Sequence, residues 1–215
     1  MPFRDNIMNK KPRSHDLFRY FAPIYDTVAR IASFGNYDKL RRALIESADI
    51  SDGDLVLDTG IGTGYISELL TNQRVVGIDI SPHMIAQAKG KMADDEGNKN
   101  RQIDFILADA HSLPFKPDIF DAVVSSFAIH EISDPQQALS EMYRVVKTGR
   151  RVAVMDAVLQ KKLPQKIMLL IYHAFIELFT ARYSYVEDIA KACPGEDVKV
   201  VGKIWGVVGI VSGRK

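Results

Sequence analysis

Three acids, three glycines and one histidine stand where their types and spacing suit chemistry. Asp58, Gly60, Gly62 and Gly64 close the apolar run Leu55-Val56-Leu57 in the order D-x-G-x-G-x-G. Asp79 ends a second apolar run, Val75-Val76-Gly77-Ile78, Asp109 lies near the end of a third, Ile103 to Ala110, and His130 follows a fourth, Phe120 to Phe127. Glycines adopt positive φ and carry no Cβ, so a turn built from them lets a ligand approach the backbone closely. Carboxylates at the carboxyl ends of strands, here Asp58 and Asp79, face the crevice where open α/β sheets bind ligands, and the one at Asp79 can accept both hydroxyls of a ribose. A histidine beside that crevice can take up a proton near neutral pH. The set suits a nucleotide-like cofactor laid across strand ends, with His130 as the candidate base.

The elements that must hold these residues are legible around them. Branched apolar residues at 55 to 57 suit a strand buried on both faces, and Tyr65 to Leu70 reads as a helix directly after the glycines, the first half of a βαβ unit. After the second strand, Ser81 caps a helix whose first position is Pro82. Asp94 to Arg101 is a polar loop. Asp134 and Pro135 start another helix, expected to run through Val146 to a stop at Gly149, and Arg151 to Val158 is the fifth strand. Helical spacing from Leu17 to Ile50 places two or three helices before the first strand, and Val198 to Val201 and Val207 to Val211 read as closing strands. Strands alternating with helices predict right-handed crossovers and a doubly wound sheet with helices on both faces.

With 215 residues, 47% of them hydrophobic and 26% charged, the chain suits a single domain over 1–215. Its 28 Lys and Arg against 27 Asp and Glu leave no electrostatic argument for a nucleic-acid partner. The sole cysteine, Cys193, excludes an internal disulfide framework and a multi-cysteine metal site, and a cytoplasmic location is expected. Residues 1–16 are polar and basic without an apolar core, which predicts a flexible end and no signal peptide. No clustered histidine or carboxylate pattern suggests a metal. Within an expected helical insertion over 160–182, Ile167 to Phe179 is apolar nearly all round. At 13 residues it falls short of the about 20 that span a bilayer. It suits a lid over an apolar substrate, a buried helix, or transient contact with a membrane surface.

The glycine turn with its acid two residues earlier resembles motif I of the class I S-adenosyl-L-methionine (SAM) methyltransferases. Asp109-Ala110, followed closely by Leu113-Pro114-Phe115, and the segment Tyr20-Phe21-Ala22-Pro23-Ile24-Tyr25-Asp26 resemble the ubiquinone/menaquinone C-methyltransferase branch of that family. The resemblance covers roughly residues 20 to 158. It implies a Rossmann-like seven-stranded sheet, mostly parallel with a final antiparallel strand. It also implies SAM as cofactor, leaving as S-adenosyl-L-homocysteine, around Tyr25, Asp58, Gly60, Ile61, Gly62, Gly64, Asp79, Ile80, Met84, Asp109, Ala110 and Ser126, with Asp109 on the adenine amino group and Ile80 and Met84 beside the ring. The implied acceptor is a small apolar or aromatic molecule, phenolic or quinol-like. Lys147-Thr148-Gly149-Arg150 departs from the Pro-Gly-Gly turn of the branch. A nicotinamide-dependent dehydrogenase and a non-catalytic SAM-binding subunit are the alternatives. Tyr65, standing where a dinucleotide fingerprint has its third glycine, disfavours the first. Oligomeric state is left open by the sequence.

Overall fold

The apolar run at 55–57 forms the centre of the molecule. A computed structural model describes residues 36–93, 101–157, 186–204 and 208–215. Tyr25, the 94–100 stretch and the whole of the 160–182 insertion, including 167–179, lie outside the described residues. The elements are α1 (Tyr37–Ser47), β1 (Leu55–Thr59), a 3-10 turn (Ser67–Leu69), β2 (Arg74–Asp79), α2 (Pro82–Ala93), β3 (Gln102–Leu107) and β4 (Phe120–Ser126). A second 3-10 turn (Ile129–Glu131), α3 (Pro135–Val145), β5 (Val146–Ala157), α4 (Val186–Ala192), β6 (Glu196–Ile204) and β7 (Val208–Arg214) follow.

The seven strands lie in the order β3-β2-β1-β4-β5-β7-β6. Strands β1 to β5 are mutually parallel, and β7 runs antiparallel to both β5 and β6. The expected doubly wound, seven-stranded sheet with its late antiparallel strand is therefore present. Alternation along each strand sends side chains to two cores. Val56, Ala122, Val124, Ala153 and Met155 face α1 through Leu40 and Leu44. Leu57, Val123, Val152 and Val154 face α3 and α4 through Leu139, Met142 and Ile189. Such double burial is why the runs 55–57 of β1, 122–124 of β4 and 152–155 of β5 carry no polar residue. Among the described residues, no helix is long and apolar enough to cross a membrane.

Two local expectations are corrected. The helix expected over 65–70 is reduced to the three-residue 3-10 turn Ser67–Leu69. Only a few residues separate Gly64 from the polar turn at Thr71-Asn72, too few to repeat the i to i−4 hydrogen bond that makes a helix cooperative. The helix before the fifth strand stops at Val145, not Gly149. Val146 is already extended, at φ −72° and ψ 146°. The β-branched pair Val145-Val146 favours that exit. Gly149, at φ +80°, instead falls between two stretches of β5 pairing, Phe120 with Val146 and Ala122 with Arg151, which are offset by a register shift. The caps behave as expected: Asp134 Oδ1 accepts from the Gln137 amide at 3.1 Å and Ser81 Oγ from the Met84 amide at 3.4 Å.

Leu57 is fully buried in the middle of β1, whereas Val201 on β6 is half exposed. Leu57→Ala is expected to lower unfolding free energy by about 2–5 kcal/mol, and Val201→Ala to change it by no more than about 0.5 kcal/mol. Urea denaturation of both variants checks the difference.

Candidate active site

The glycine turn leaves β1 and crosses to the end of β2. Gly60, Gly62 and Gly64 have φ of +71°, +55° and +84°, a region that side chains disfavour. Two of them also meet neighbours: a Cβ on Gly60 would lie 2.5 Å from Ala128 Cβ, and one on Gly64 2.5 Å from Met92 Cε. Gly62 differs. Its nearest neighbour would be the Gly60 carbonyl oxygen at 4.0 Å, so its backbone is open to a ligand. The turn is pinned by the Ile61 amide on the Ile78 carbonyl at 2.8 Å and by the Gly62 amide on Asp79 Oδ2 at 2.9 Å. Ile61 packs its side chain on Gly77, where a Cβ would stand 2.1 Å from Ile61 Cδ1. The Ile61 side chain is 3% exposed and faces the sheet, so its backbone is the part of the residue that lies in the turn.

The acids fall into two environments. Asp58 was expected to face the crevice, but it is 1% exposed and takes a hydrogen bond from Ser67 Oγ at 2.7 Å. It therefore holds the start of the 3-10 turn that follows the glycines. Burial, which penalises the charge, pushes its pKa up to about 7, against the lowering pull of Ser67. Asp79 is half-buried and accepts from the Gly62 amide and, through Oδ1, from the Ser81 amide at 2.8 Å. Each carboxylate oxygen has more than one acceptor direction, so both can still receive a ribose hydroxyl. Ile80 beside it is 50% exposed, while Met84 is buried. Asp109, beyond β3, is exposed, and Ala110 is half-buried. Burial works to raise the Asp109 pKa, but hydrogen bonds from the His111 amide and ring lower it overall. Ser126 ends β4, half-buried, opposite Met155.

An open glycine backbone, a carboxylate at Asp79, an exposed apolar face at Ile80 and a second carboxylate at Asp109 run side by side across the ends of β1, β2 and β3. A strip of this kind offers carboxylate acceptors on either side of an exposed apolar surface. A cavity of about 540 Å³ lined by Leu55, Arg74, Gln102 and Phe120 belongs to the opposite side, since these are the first residues of β1 to β4.

At the end of β4, Phe127 takes φ +52°, a strained choice for a bulky residue. The chain then turns over Gly60 into the 3-10 turn that holds His130. The ring is 6% exposed, with Nδ1 2.5 Å from Asp156 Oδ1. The His130 amide donates to the other oxygen of Asp156 at 2.8 Å, and Nε2 lies 3.5 Å from Glu131 Oε1. Burial alone would lower the pKa of the ring, but the carboxylates of Asp156 and Glu131 raise it overall. The two acids thus act to favour the imidazolium form of the ring.

Sequence reading missed Asp156 and Glu131 as partners of His130, and His111 as the partner of Asp109. A signal for Asp156 was present: it ends the apolar run Val152-Ala153-Val154-Met155, as Asp58 and Asp79 end theirs. His111 carried a weaker one, lying two residues after an acid at a strand end.

The fold and crevice are those of the class I SAM-dependent methyltransferases. A SAM-dependent methyltransferase structure from Aquifex aeolicus superposes with a TM-score of 0.59 at 22% identity, covering 91% of this chain and 97% of that one. The chain belongs to the ubiE/COQ5 methyltransferase family, whose model matches residues 6–198. It is 34% identical over 155 residues to the ubiquinone/menaquinone biosynthesis C-methyltransferase UbiE of Geobacter sulfurreducens, covering 70% of this chain and 60% of that protein. It is 36% identical over 142 residues to the demethylmenaquinone methyltransferase of Paenarthrobacter aurescens, covering 65% of this chain and 53% of that one. The matched segment thus spans little more than half the length of these relatives.

Gly60→Ala is expected to weaken S-adenosylhomocysteine binding and to destabilise the fold by more than the about 1 kcal/mol that a left-handed non-glycine residue costs. Adding Ala128→Gly should recover the part due to the clash with Ala128, as thermal melts of the single and double variants would show. Asp58 offers a second test. Because its folded pKa lies above the ordinary 3.8, its contribution to stability is fully present below about pH 4 and lost as pH rises through 7. Asp58→Asn lacks that slope. Between pH 4 and 8 the variant should gain on the parent by up to on the order of 4 kcal/mol, and an unchanged difference across that range in denaturant titrations would contradict the buried carboxylate.

Proposed function

We propose that this chain transfers the methyl group of SAM to a small, ring-bearing apolar acceptor of phenolic or quinol type. The observation that carries the cofactor is the crevice itself. Asp79, Asp109 and Glu131 gather at or just beyond the carboxyl ends of the strands, and a three-residue 3-10 turn follows the glycines. A dinucleotide pyrophosphate is held by the N-terminus of a full helix at this point. Here that dipole is short and the surroundings are acidic, which suits a cationic sulfonium ligand and opposes a pyrophosphate. Strand β7, antiparallel to β5, also departs from the nicotinamide-dehydrogenase sheet.

SAM supplies an electrophilic methyl carbon when bound. The chain's own residues position it: the Gly62 backbone and Asp79 hold the nucleoside, while Ile80 and Asp109 take the base. His130 is the general base for an acceptor that must lose a proton, with Asp156 orienting the ring through Nδ1 so that Nε2 is the atom that takes it. Names of the relatives in quinone biosynthesis and membership of the ubiE/COQ5 family support a quinol-like acceptor. The single cysteine suits work in the cytoplasm, and the apolar 167–179 stretch suits an acceptor drawn from a membrane surface.

Calorimetry should give binding of S-adenosylhomocysteine and none, or far weaker, of NAD; the reverse order would remove this function. With labelled SAM and a panel of quinols, peptides and RNA, turnover is expected on the quinols alone. His130→Ala should leave cofactor affinity nearly unchanged and reduce turnover by about 10²- to 10⁴-fold. Since a base works only when deprotonated and the His130 pKa is raised, the parent rate should climb with pH through a midpoint above the ordinary 6.5. Asp156→Asn should move that midpoint down, as a pH–rate profile would record.

A further inference from the structure

One side chain ties the loop after β3 to the start of α3. His111 Nδ1 lies 2.6 Å from Asp109 Oδ1, and the His111 amide donates to the same oxygen at 2.9 Å. On the other side of the ring, Nε2 accepts from the Asp134 amide at 3.1 Å and meets Ser133 Oγ at 3.0 Å. The His111 carbonyl accepts from Gln137 Nε2 at 3.3 Å. A backbone N–H can only donate, so Nε2 carries the lone pair and the ring proton resides on Nδ1, donating to Asp109. The ring is itself three-quarters buried, with 27% of its side chain exposed against 49% for Asp109. Asp134 is the N-cap of α3, whose Leu139 and Met142 are fully buried, so the ring is anchored to a part of the core.

The consequence falls on Asp109. Two N–H donors occupy Oδ1, and Oδ2 makes no hydrogen bond among the described residues. We propose that His111 is a positioning residue for base recognition: it fixes the Asp109 carboxylate so that Oδ2 meets the exocyclic amino group of adenine, which makes the site selective for 6-amino over 6-oxo purines. The inference rests on the SAM-binding reading above. An aspartate without this brace keeps only the bond to the neighbouring amide and can swing into other rotamers. A purine with a carbonyl in place of the amino group would set two acceptors against each other, and an immobile carboxylate cannot turn away.

The experiment compares S-adenosylhomocysteine with its deaminated counterpart, S-inosylhomocysteine, by calorimetry on four proteins: the parent, His111→Ala, His111→Asn and His111→Gln. The parent should prefer the adenine form by roughly tenfold to hundredfold, as expected for a hydrogen bond to a charged group. In His111→Ala that preference should fall at least fivefold, through weaker adenine binding. His111→Asn keeps an N–H donor near the place of Nδ1 and should recover most of the preference. His111→Gln can still reach the Asp134 amide but puts no donor on Asp109, so it should lose the preference while keeping the anchor to α3, and it serves as the test if His111→Ala fails to melt cooperatively. Equal weakening of both ligands, or an unchanged preference in His111→Gln, overturns the inference and leaves the function standing. A parent that binds neither ligand overturns the SAM-binding reading itself, and a parent that binds both equally removes Asp109 from the base site.

Discussion

The hydrogen bond from the Gly62 amide to the Asp79 carboxylate joins the ends of two adjacent parallel strands, and the shape of the crevice depends on it. Thr59 of β1 stands opposite Ile78 of β2, so the chain leaving β1 must cross to its neighbour within three residues. The Ile61 amide takes the Ile78 carbonyl of β2, Gly62 reaches the carboxylate, and Ser81 takes its other oxygen at the start of α2. One carboxylate thereby sets the turn and the helix start while retaining acceptor capacity toward the crevice. A hydrogen bond to a charged group contributes about 1.5–3 kcal/mol, and here it also holds the ligand-facing atoms in place before any ligand arrives.

Packing beneath the turn answers to the same constraint. Arg41 of α1, 5% exposed in its side chain, reaches Glu68 at 2.7 Å and lies over the Tyr65 ring at 4.8 Å, and Lys91 of α2 meets the other oxygen of Glu68 at 3.0 Å. The short 3-10 turn is thus held between two helices by charge. Propensity alone would not keep it, because a single turn lacks the repeated bonds of a helix. The acidic strand ends above it divide by solvation: Asp58, sealed in, holds its proton up to about pH 7, whereas exposed Asp109 is kept ionised by His111. A crevice built this way places permanent negative charge at its rim and a titratable carboxyl below its floor.

At the other end of the crevice, strain and charge work together. Phe127 in the left-handed region lets the chain leave β4 abruptly, and the Phe127 amide stays paired with the Met155 carbonyl at 2.8 Å. That exit brings Ala128 over Gly60 and delivers His130 to Asp156. A carboxylate that is fully buried would be costly alone. Donation from both the ring and the amide of His130 satisfies it, and the same contact orients the ring.

What the chain's local order determined is what repeats at short range. Apolar runs closed by Asp58, Asp79 and Asp109, glycines at alternate positions, and the Ser81-Pro82 and Asp134-Pro135 helix starts are written in consecutive residues, because burial on two faces and capping act over one to four positions. Strand count, winding and the ligand end of the sheet followed from them. The tertiary structure alone decided the rest. His130 meets Asp156 across 26 residues, and His111 meets the Asp134 amide across 23. Neither pairing has a sequence period, since each arises from two strand exits and a helix start converging at one end of a parallel sheet. Asp58 shows the limit from the other direction: its position at the strand end was readable, but whether its carboxylate met water or Ser67 depended on how few residues were left to form the next turn.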